Sequence, residues 1–253
     1  MHKSLKYLVL LSLLVTSACA RPTTTVRRDA SFNQQDLRVA GLTILPTEAT
    51  VNTVSVSGAK ERMYEYEEHM ETLIDAQLLS SLKENGYPAT LLAKRDIHDQ
   101  HISAQVLKLR EHATMEMQTL YSTTWLPEEK AFAISSNIGA KNIDNTESIK
   151  KYLLLSNYSL LSKTNGARAF GFMMDVMVGT SMSSNSDSST LTLAIVDNDT
   201  GAIVWSNMNP QIHPLFGSFI GGGKKSSNKD EAHVKESIER TLKPLFADNN
   251  KEN

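Results

Sequence analysis

Hydrophobic side chains recur along much of the chain at the spacing of helices that bury one face. The first run ends at Asn85 and Gly86, which suit a left-handed helix stop, and its apolar positions are Met63, Tyr66, Met70, Leu73, Ile74, Leu78 and Leu82. A second run ends before Pro127 and contains Ile102, Val106, Leu109, Ala113, Met117 and Leu120. A third helix is predicted on Ile149, Tyr152, Leu153, Ser156 and Leu160, and a last helix over residues 231–246.

Strand patterns flank the first of these helices. Residues 37–45 are a β-rich run closed by Pro46, and they predict a largely buried strand. Residues 87–92 predict a second, short strand. Residues 47–59 are rich in Thr, Val and Ser and fit either a loop or an edge strand. The first part of the chain therefore reads as strand, helix, strand.

The second half carries a stronger β pattern. Residues 167–179 have apolar side chains at alternate positions and predict a strand, and the Ser-rich residues 181–189 predict a loop. Two further β-rich runs, 190–196 and 202–206, are joined by five residues that end in Gly201. Because glycine readily supplies a positive φ, this segment predicts a hairpin turn.

Helices between strands, followed by a meander of strands and a closing helix, indicate an α/β or α+β fold. We expect a single layered domain over residues 37–246, with a central mixed sheet and packed helices. Residues 247–253 are polar and predict a frayed tail. About 230 residues are enough for a proper core.

The first residues follow the layout of a secretory signal. Lys3 and Lys6 precede an apolar run over residues 7–15, which is well short of the roughly 20 residues that a spanning helix needs. The next residues, 15–19, end in the chain's one cysteine, Cys19. This stretch resembles the bacterial lipobox, although Thr16 stands where that motif usually has leucine.

The lipobox resemblance implies that residues 1–18 are a signal peptide cut before Cys19, which then carries lipid such as palmitate. Ala20 follows the cysteine instead of aspartate, and by the family's sorting rule this favours the outer membrane over the inner one. We expect the anchored domain on the periplasmic face of that membrane. Residues 19–36 would then be the lipidated cysteine and a flexible tether. With one cysteine, no intramolecular disulfide is expected despite an oxidising compartment.

Charge argues against nucleic acid as a partner. The chain has 26 basic residues, of which Lys3 and Lys6 would leave with the signal, so that 24 face 28 acidic ones. Such a balance does not suit a general nucleic-acid binder.

The closing pattern of residues 165–206 is similar to a group of envelope lipoproteins. They include the curli secretion lipoprotein, the penicillin-binding-protein activators and a neisserial-type family. The similar features are a long helix ending in Gly86 and Tyr87, and a late hairpin with Asp197, Thr200, Gly201 and Trp205. The resemblance implies an α/β domain used for assembly or protein contact at the outer membrane. The membrane-inserting hairpins that a curli-type pore requires are not identifiable, so a pore is not predicted.

Three patterns resemble ligand-binding or catalytic sites, and each favours an ordinary structural role instead. Asp197, Asp199 and Gly201 resemble part of a calcium loop, but without its terminal glutamate they favour a hairpin turn. Trp125 and Trp205 favour packing over a sugar platform. Glu67 and Glu68 indicate a solvated helix face.

Histidines and a glycine-rich segment complete the candidates. His98, His101 and His112 lack the HExxH spacing of zinc enzymes, so no metal site is predicted. The glycine-rich segment comprises Gly221, Gly222, Gly223, Lys224 and Lys225. It is superficially like a phosphate loop but departs from that motif. It therefore predicts a flexible loop that contacts a partner.

These patterns predict a non-catalytic lipoprotein without a cofactor, bound to the membrane through Cys19 and to another envelope protein. Self-association into a homo-oligomer or secretion component is one alternative. A metal-dependent envelope hydrolase that uses the histidines is the other.

Overall fold

The computed structural model describes residues 26–30, 32–97, 100–122, 149–164, 166–167, 187–213 and 227–247. Within these ranges the chain forms four α-helices: α1 (Gln34–Ala40), α2 (Tyr64–Glu84), α3 (Gln100–Ser122) and α4 (Ser227–Phe246). It also forms eight strands: β1 (Val26–Arg28), β2 (Leu42–Ile44), β3 (Glu48–Val54), β4 (Lys60–Arg62), β5 (Ala89–Leu91), β6 (Tyr152–Lys163), β7 (Asp187–Asp197) and β8 (Ile203–His213). A short 3₁₀ turn, Lys94–Ile97, precedes α3.

All eight strands belong to one mixed sheet, in the order β1-β8-β7-β6-β2-β5. The long strand β6 organises it. β2 lies parallel to the first part of β6, and β3 lies parallel to its later part. β7 pairs antiparallel along the other side of β6, while β4 continues the sheet beyond β3. The expected α/β domain with a mixed sheet is therefore confirmed.

Helices cover both faces of the sheet. Successive strand side chains point to opposite faces, so Leu154 packs in the core beneath α2 and α4 while Leu153 packs beneath α3. The α2 and α4 side holds the larger cluster, which includes the fully buried Trp205. The α3 side holds a smaller cluster that contains Val106 and Leu109. Three layers result, with the sheet in the middle.

The predictions for α2, α3, α4 and the late hairpin are confirmed. α2 ends at Glu84 with Asn85 as its C-cap, and Gly86 adopts a φ of 79°. The short strand predicted over residues 87–92 is β5. Residues 47–59, left open between loop and edge strand, contain β3.

The single strand predicted over residues 37–45 is wrong. Asn33 caps a helix there by accepting a hydrogen bond from the Gln35 N–H, and the helix runs to Ala40. Gly41, with a φ of 75°, ends it, and only then does the strand β2 begin. The cap and the glycine stop outweigh the β-rich composition of this stretch.

The helix predicted on residues 149–160 is also wrong, because this stretch contains most of β6. Leu153, Leu154 and Leu155 are all buried, since β6 lies in mid-sheet with a packed layer on each face. A strand buried on both faces reads as a continuous apolar run, and leucine spacing then imitates a helix.

Two other loop and strand predictions have different outcomes. β7 begins at Asp187, so the last residues of the loop predicted at 181–189 are strand. The strand predicted at 167–179 lies almost entirely outside the described residues.

The first described strand lies within the segment predicted as a tether. β1 pairs antiparallel with β8, with Val26 opposite Asn207. Its two arginines bind opposite faces of the sheet. Arg28 donates a hydrogen bond of 2.9 Å to the Pro244 carbonyl of α4, whereas Arg27 lies toward α3. The N-terminal strand is thus held by the sheet and by helices on both sides.

Three carboxylates of α2 close part of the sheet edge beside β3. This acidic ladder consists of Glu67, Glu71 and Asp75, spaced four residues apart so that they share a helix face. They accept backbone N–H groups from alternate residues of the β3 region, namely Val51 at 2.9 Å, Ala49 at 3.2 Å and Thr47 at 2.9 Å. Unpaired N–H groups at a strand edge can pair with another chain. Here the carboxylates of the ladder accept these N–H groups instead.

The solvated helix face expected from Glu67 and Glu68 is therefore wrong for Glu67. Its side chain is buried and also binds Arg62, with N–O distances of 2.8 and 3.0 Å. At the far end of the ladder, burial raises the pKa of Asp75, although hydrogen bonds from Thr47 lower it.

Candidate functional site

A cavity of about 370 Å³ lies between the C-terminal half of α3 and the sheet. Its volume is within the usual range for small-molecule sites. We call it the α3 cavity, and its described lining consists of Thr114, Met117, Gln118, Tyr121, Asn157, Thr192 and Met208. None of these residues is charged, and most of the surface that faces the cavity is apolar.

Regular geometry brings the lining together. Asn157, Thr192 and Met208 form one row across three strands, because Asn157 pairs with Thr192 and Thr192 pairs with Met208. The helical residues follow the spacing of a single helix face: Thr114, Met117, Gln118 and Tyr121. A strand row therefore forms the floor of the cavity and a helix face forms its roof.

Tyr121 connects the cavity to the N-terminal strand. Its hydroxyl lies 3.1 Å from the Ser206 hydroxyl, and the Arg27 guanidinium lies 5.2 Å from the centre of its ring. Burial raises the pKa of Tyr121, and burial lowers the pKa of Arg27. Tyr121 therefore stays neutral at physiological pH. A stacked cation holds the ring in place at the wall of the cavity.

A second polar cluster joins α2 to the start of α4. His69 Nε2 lies 3.5 Å from Asp230 Oδ2, and the Tyr66 and His69 rings are 5.9 Å apart. Burial raises the pKa of Asp230, while Tyr66 and His69 lower it. Burial also raises the pKa of Tyr66. This cluster therefore links α2 to the first turn of α4.

An open groove of about 640 Å³ lies on the opposite side of the sheet, between the end of α2 and α4. Its lining includes Glu84, Glu239, Arg240 and Lys243, so both signs of charge face it. Arg240 also pairs with Glu236 at 2.6 Å. The charged lining distinguishes this groove from the α3 cavity, whose described lining carries no charge.

Several residues singled out from the sequence lie outside the described residues. They are Cys19, His98, Trp125, Gly221, Gly222, Gly223, Lys224 and Lys225. His101 is in α3, and His112 is half-buried on the same helix. The described part of the chain contains no group of three or more His, Cys, Asp or Glu that could hold a metal ion.

The predicted hairpin turn and the predicted packing of Trp205 are confirmed, whereas Trp125 lies outside the described residues. Asp197 Oδ1 accepts the N–H groups of Asp199 at 2.9 Å and Thr200 at 3.2 Å, so this oxygen serves the turn itself. Gly201 has a φ of 76°, as the turn requires. Trp205 is fully buried in the core.

The sequence pattern does not predict most of the α3 cavity. Met117 belongs to the apolar stripe of α3, but Asn157 lies in a stretch whose spacing predicts a helix. Thr192 and Met208 meet only through strand pairing. A period-two reading of residues 152–163, with Tyr158 and Leu160 on one face and Asn157 on the other, would have placed Asn157 correctly.

Of the described helices, none is both long enough and apolar enough to cross a bilayer.

No protein-family model and no curated protein sequence matches the chain. Solved structures match it at low identity. The PelC dodecamer from Paraburkholderia phytofirmans matches at 10% identity and a TM-score of 0.39, covering 89% of this chain and 97% of that one. Protein XCC0632 from Xanthomonas campestris matches at 9% identity and a TM-score of 0.34, covering 90% of this chain and 89% of that one.

The C-terminal domain of LpoB from Salmonella enterica matches at 15% identity and a TM-score of 0.24, covering 70% of this chain and 94% of that domain. Scores this low leave function to be argued from this chain's own residues. The resemblance to the envelope lipoprotein group stays a prediction.

Proposed function

We propose that this protein is a lipid-anchored envelope protein that acts as a non-catalytic interaction or assembly factor at the outer membrane. The observation that carries the proposal is the short interval in sequence between Cys19 and β1, the first strand that the structure describes. Val26 already pairs with β8, only seven residues after the cysteine.

This interval limits how far the domain can stand from a bilayer. Seven fully extended residues span at most about 24 Å. Acyl chains on Cys19 would contribute roughly 0.8 kcal/mol per buried methylene, and two or more chains make attachment stable. A domain held this closely works beside the membrane and meets partners there.

Two surfaces are proposed to contact another envelope protein. One is the glycine-rich segment that includes Lys224 and Lys225, directly before α4. The other is the outer face of α3, where Leu107 and Met115 are 67% and 51% exposed. These two side chains are eight residues apart and share a helix face, as in helices that pack on a partner.

Labelled palmitate tests the anchor. The unaltered protein should take up label and sediment with the outer membrane, and Cys19→Ser should do neither. Thr16→Leu, which brings the lipobox closer to its usual pattern, is the matched control and should keep the label. An unlabelled protein that washes freely from the envelope would overturn the proposal.

Photo-crosslinking in cells tests the interaction role. A photoreactive residue at Leu107 or Lys225 should capture the same envelope protein, whereas one at the exposed Lys235 of α4 should not. Capture of nothing but copies of this chain from both positions would replace the proposal with self-assembly. Capture of no protein at all would also contradict it.

A further inference from the structure

We infer that the α3 cavity is a binding site for an alkyl chain, and that its occupant is an acyl chain carried by Cys19 of the same molecule. This inference rests on the proposed lipidation of Cys19. It gives the anchor a second, intramolecular binding place.

The lining suits a hydrocarbon chain. Met117 of α3 and Met208 of β8 both line the cavity, and methionine adapts its flexible thioether to irregular apolar ligands. The polar members, such as Gln118, Asn157 and Thr192, are uncharged amides and a hydroxyl. Among the described lining no side chain offers a counter-charge for an ionic ligand. The chemistry therefore favours an apolar, neutral occupant.

The direction of β1 makes the lipid on Cys19 the nearest such occupant. β1 runs antiparallel to β8, so the backbone that enters Val26 opposite Asn207 comes from the side of Met208. Met208 is part of the cavity floor. Arg27, the next residue of β1, stacks on Tyr121 of the cavity wall. The chain from Cys19 thus enters the fold beside the cavity.

The chain between Cys19 and Val26 is short enough for a lipid on Cys19 to reach the α3 cavity. The sulfur of Cys19 lies at most about 24 Å along the chain from Val26. A lipid chain on that sulfur can therefore extend either into the bilayer or back toward the α3 cavity. The same short segment that limits the distance to the membrane keeps the acyl chain near this site.

A photoreactive, tagged fatty acid fed to cells provides the test, with the full-length protein as it is made. After illumination and proteolysis, peptides of α3 or β8 that line the cavity should be crosslinked to the Cys19 lipopeptide. A Cys19 that carries the probe but crosslinks only to bilayer lipid would overturn the inference and leave the anchor intact. A Cys19 without the probe would overturn the proposed function itself.

Two further sets of variants identify the source of the bound acyl chain and the place where it binds. In Cys19→Ser the cavity crosslinks should disappear; if they persist, the occupant is a membrane lipid and the inference is wrong. Thr114→Trp, on the rim of the cavity, should remove most of the crosslink. Met115→Trp, on the outer face of the same helix, is the matched control and should keep it. Equal crosslinking in both tryptophan variants would contradict binding in the cavity.

Discussion

Replacing Asp75 tests the acidic ladder that closes the sheet edge beside β3. Asp75 Oδ1 accepts the Thr47 N–H at 2.9 Å and the Thr47 hydroxyl at 2.6 Å, and that hydroxyl also lies 2.6 Å from the Ser156 hydroxyl. In Asp75→Ala the hydroxyl keeps its contact with Ser156, but the buried N–H loses its acceptor. A buried donor without a partner costs about 1–3 kcal/mol, so we expect a loss of about 2 kcal/mol in the free energy of unfolding.

Asp75→Asn is the matched control, because an amide oxygen can accept both hydrogen bonds without burying a charge. We expect it to change the free energy of unfolding by less than about 1 kcal/mol at neutral pH. Urea denaturation of the purified proteins, followed by circular dichroism, measures both values. An asparagine variant as unstable as the alanine variant would refute the assignment of stability to these hydrogen bonds.

The pH dependence gives a second check on the same residue. Burial raises the pKa of Asp75, so the folded state binds this proton more tightly than the unfolded state does. The stability that protonation contributes is complete below the unfolded value of about 3.9, and it is lost as pH rises through the raised folded-state pKa. The stability of Asp75→Asn relative to the unaltered protein should therefore increase as pH rises through that window. A difference that stays constant with pH would show that burial does not shift this pKa.

Three further changes have defined outcomes. Gly41→Ala should destabilise the protein more than Gly58→Ala in thermal melts. Both glycines have a positive φ. However, a Cβ at Gly41 would lie 2.5 Å from the Pro88 carbonyl oxygen, whereas a Cβ at Gly58 would have nothing within 4 Å. Equal losses of stability in the two variants would show that the positive φ alone, and not the contact with Pro88, causes the destabilisation. Trp205→Ala should cost about 3–5 kcal/mol in denaturant unfolding, because Trp205 is fully buried, and a loss under about 1 kcal/mol would contradict that packing. Glu67→Ala should destabilise more than Glu68→Ala in the same assay, since only Glu67 is buried and accepts a backbone N–H.

Sequence patterns sufficed where local signals agree with tertiary packing. α2 carries an apolar stripe and ends at Gly86, and the late hairpin carries a turn whose chemistry is local to Asp197 and Gly201. Such elements are specified by residues close together in the chain. Their prediction required no knowledge of the partners in space.

Elements decided by distant partners could not be predicted in this way. β6 reads as a helix until its neighbours β2, β3 and β7 are known, because its leucines are buried on both faces. The floor of the α3 cavity depends on this pairing, since strand register alone aligns Asn157, Thr192 and Met208. The burial of Glu67 likewise follows from strand N–H groups that the helix sequence does not reveal.

The intact mass of the protein extracted from outer membranes tests the proposed anchor most directly. The mass should correspond to a chain that begins at Cys19 and carries a diacylglyceryl group and an N-terminal acyl group. A chain that retains residues 1–18, one that begins beyond Cys19, or one with an unmodified thiol would contradict the proposed attachment.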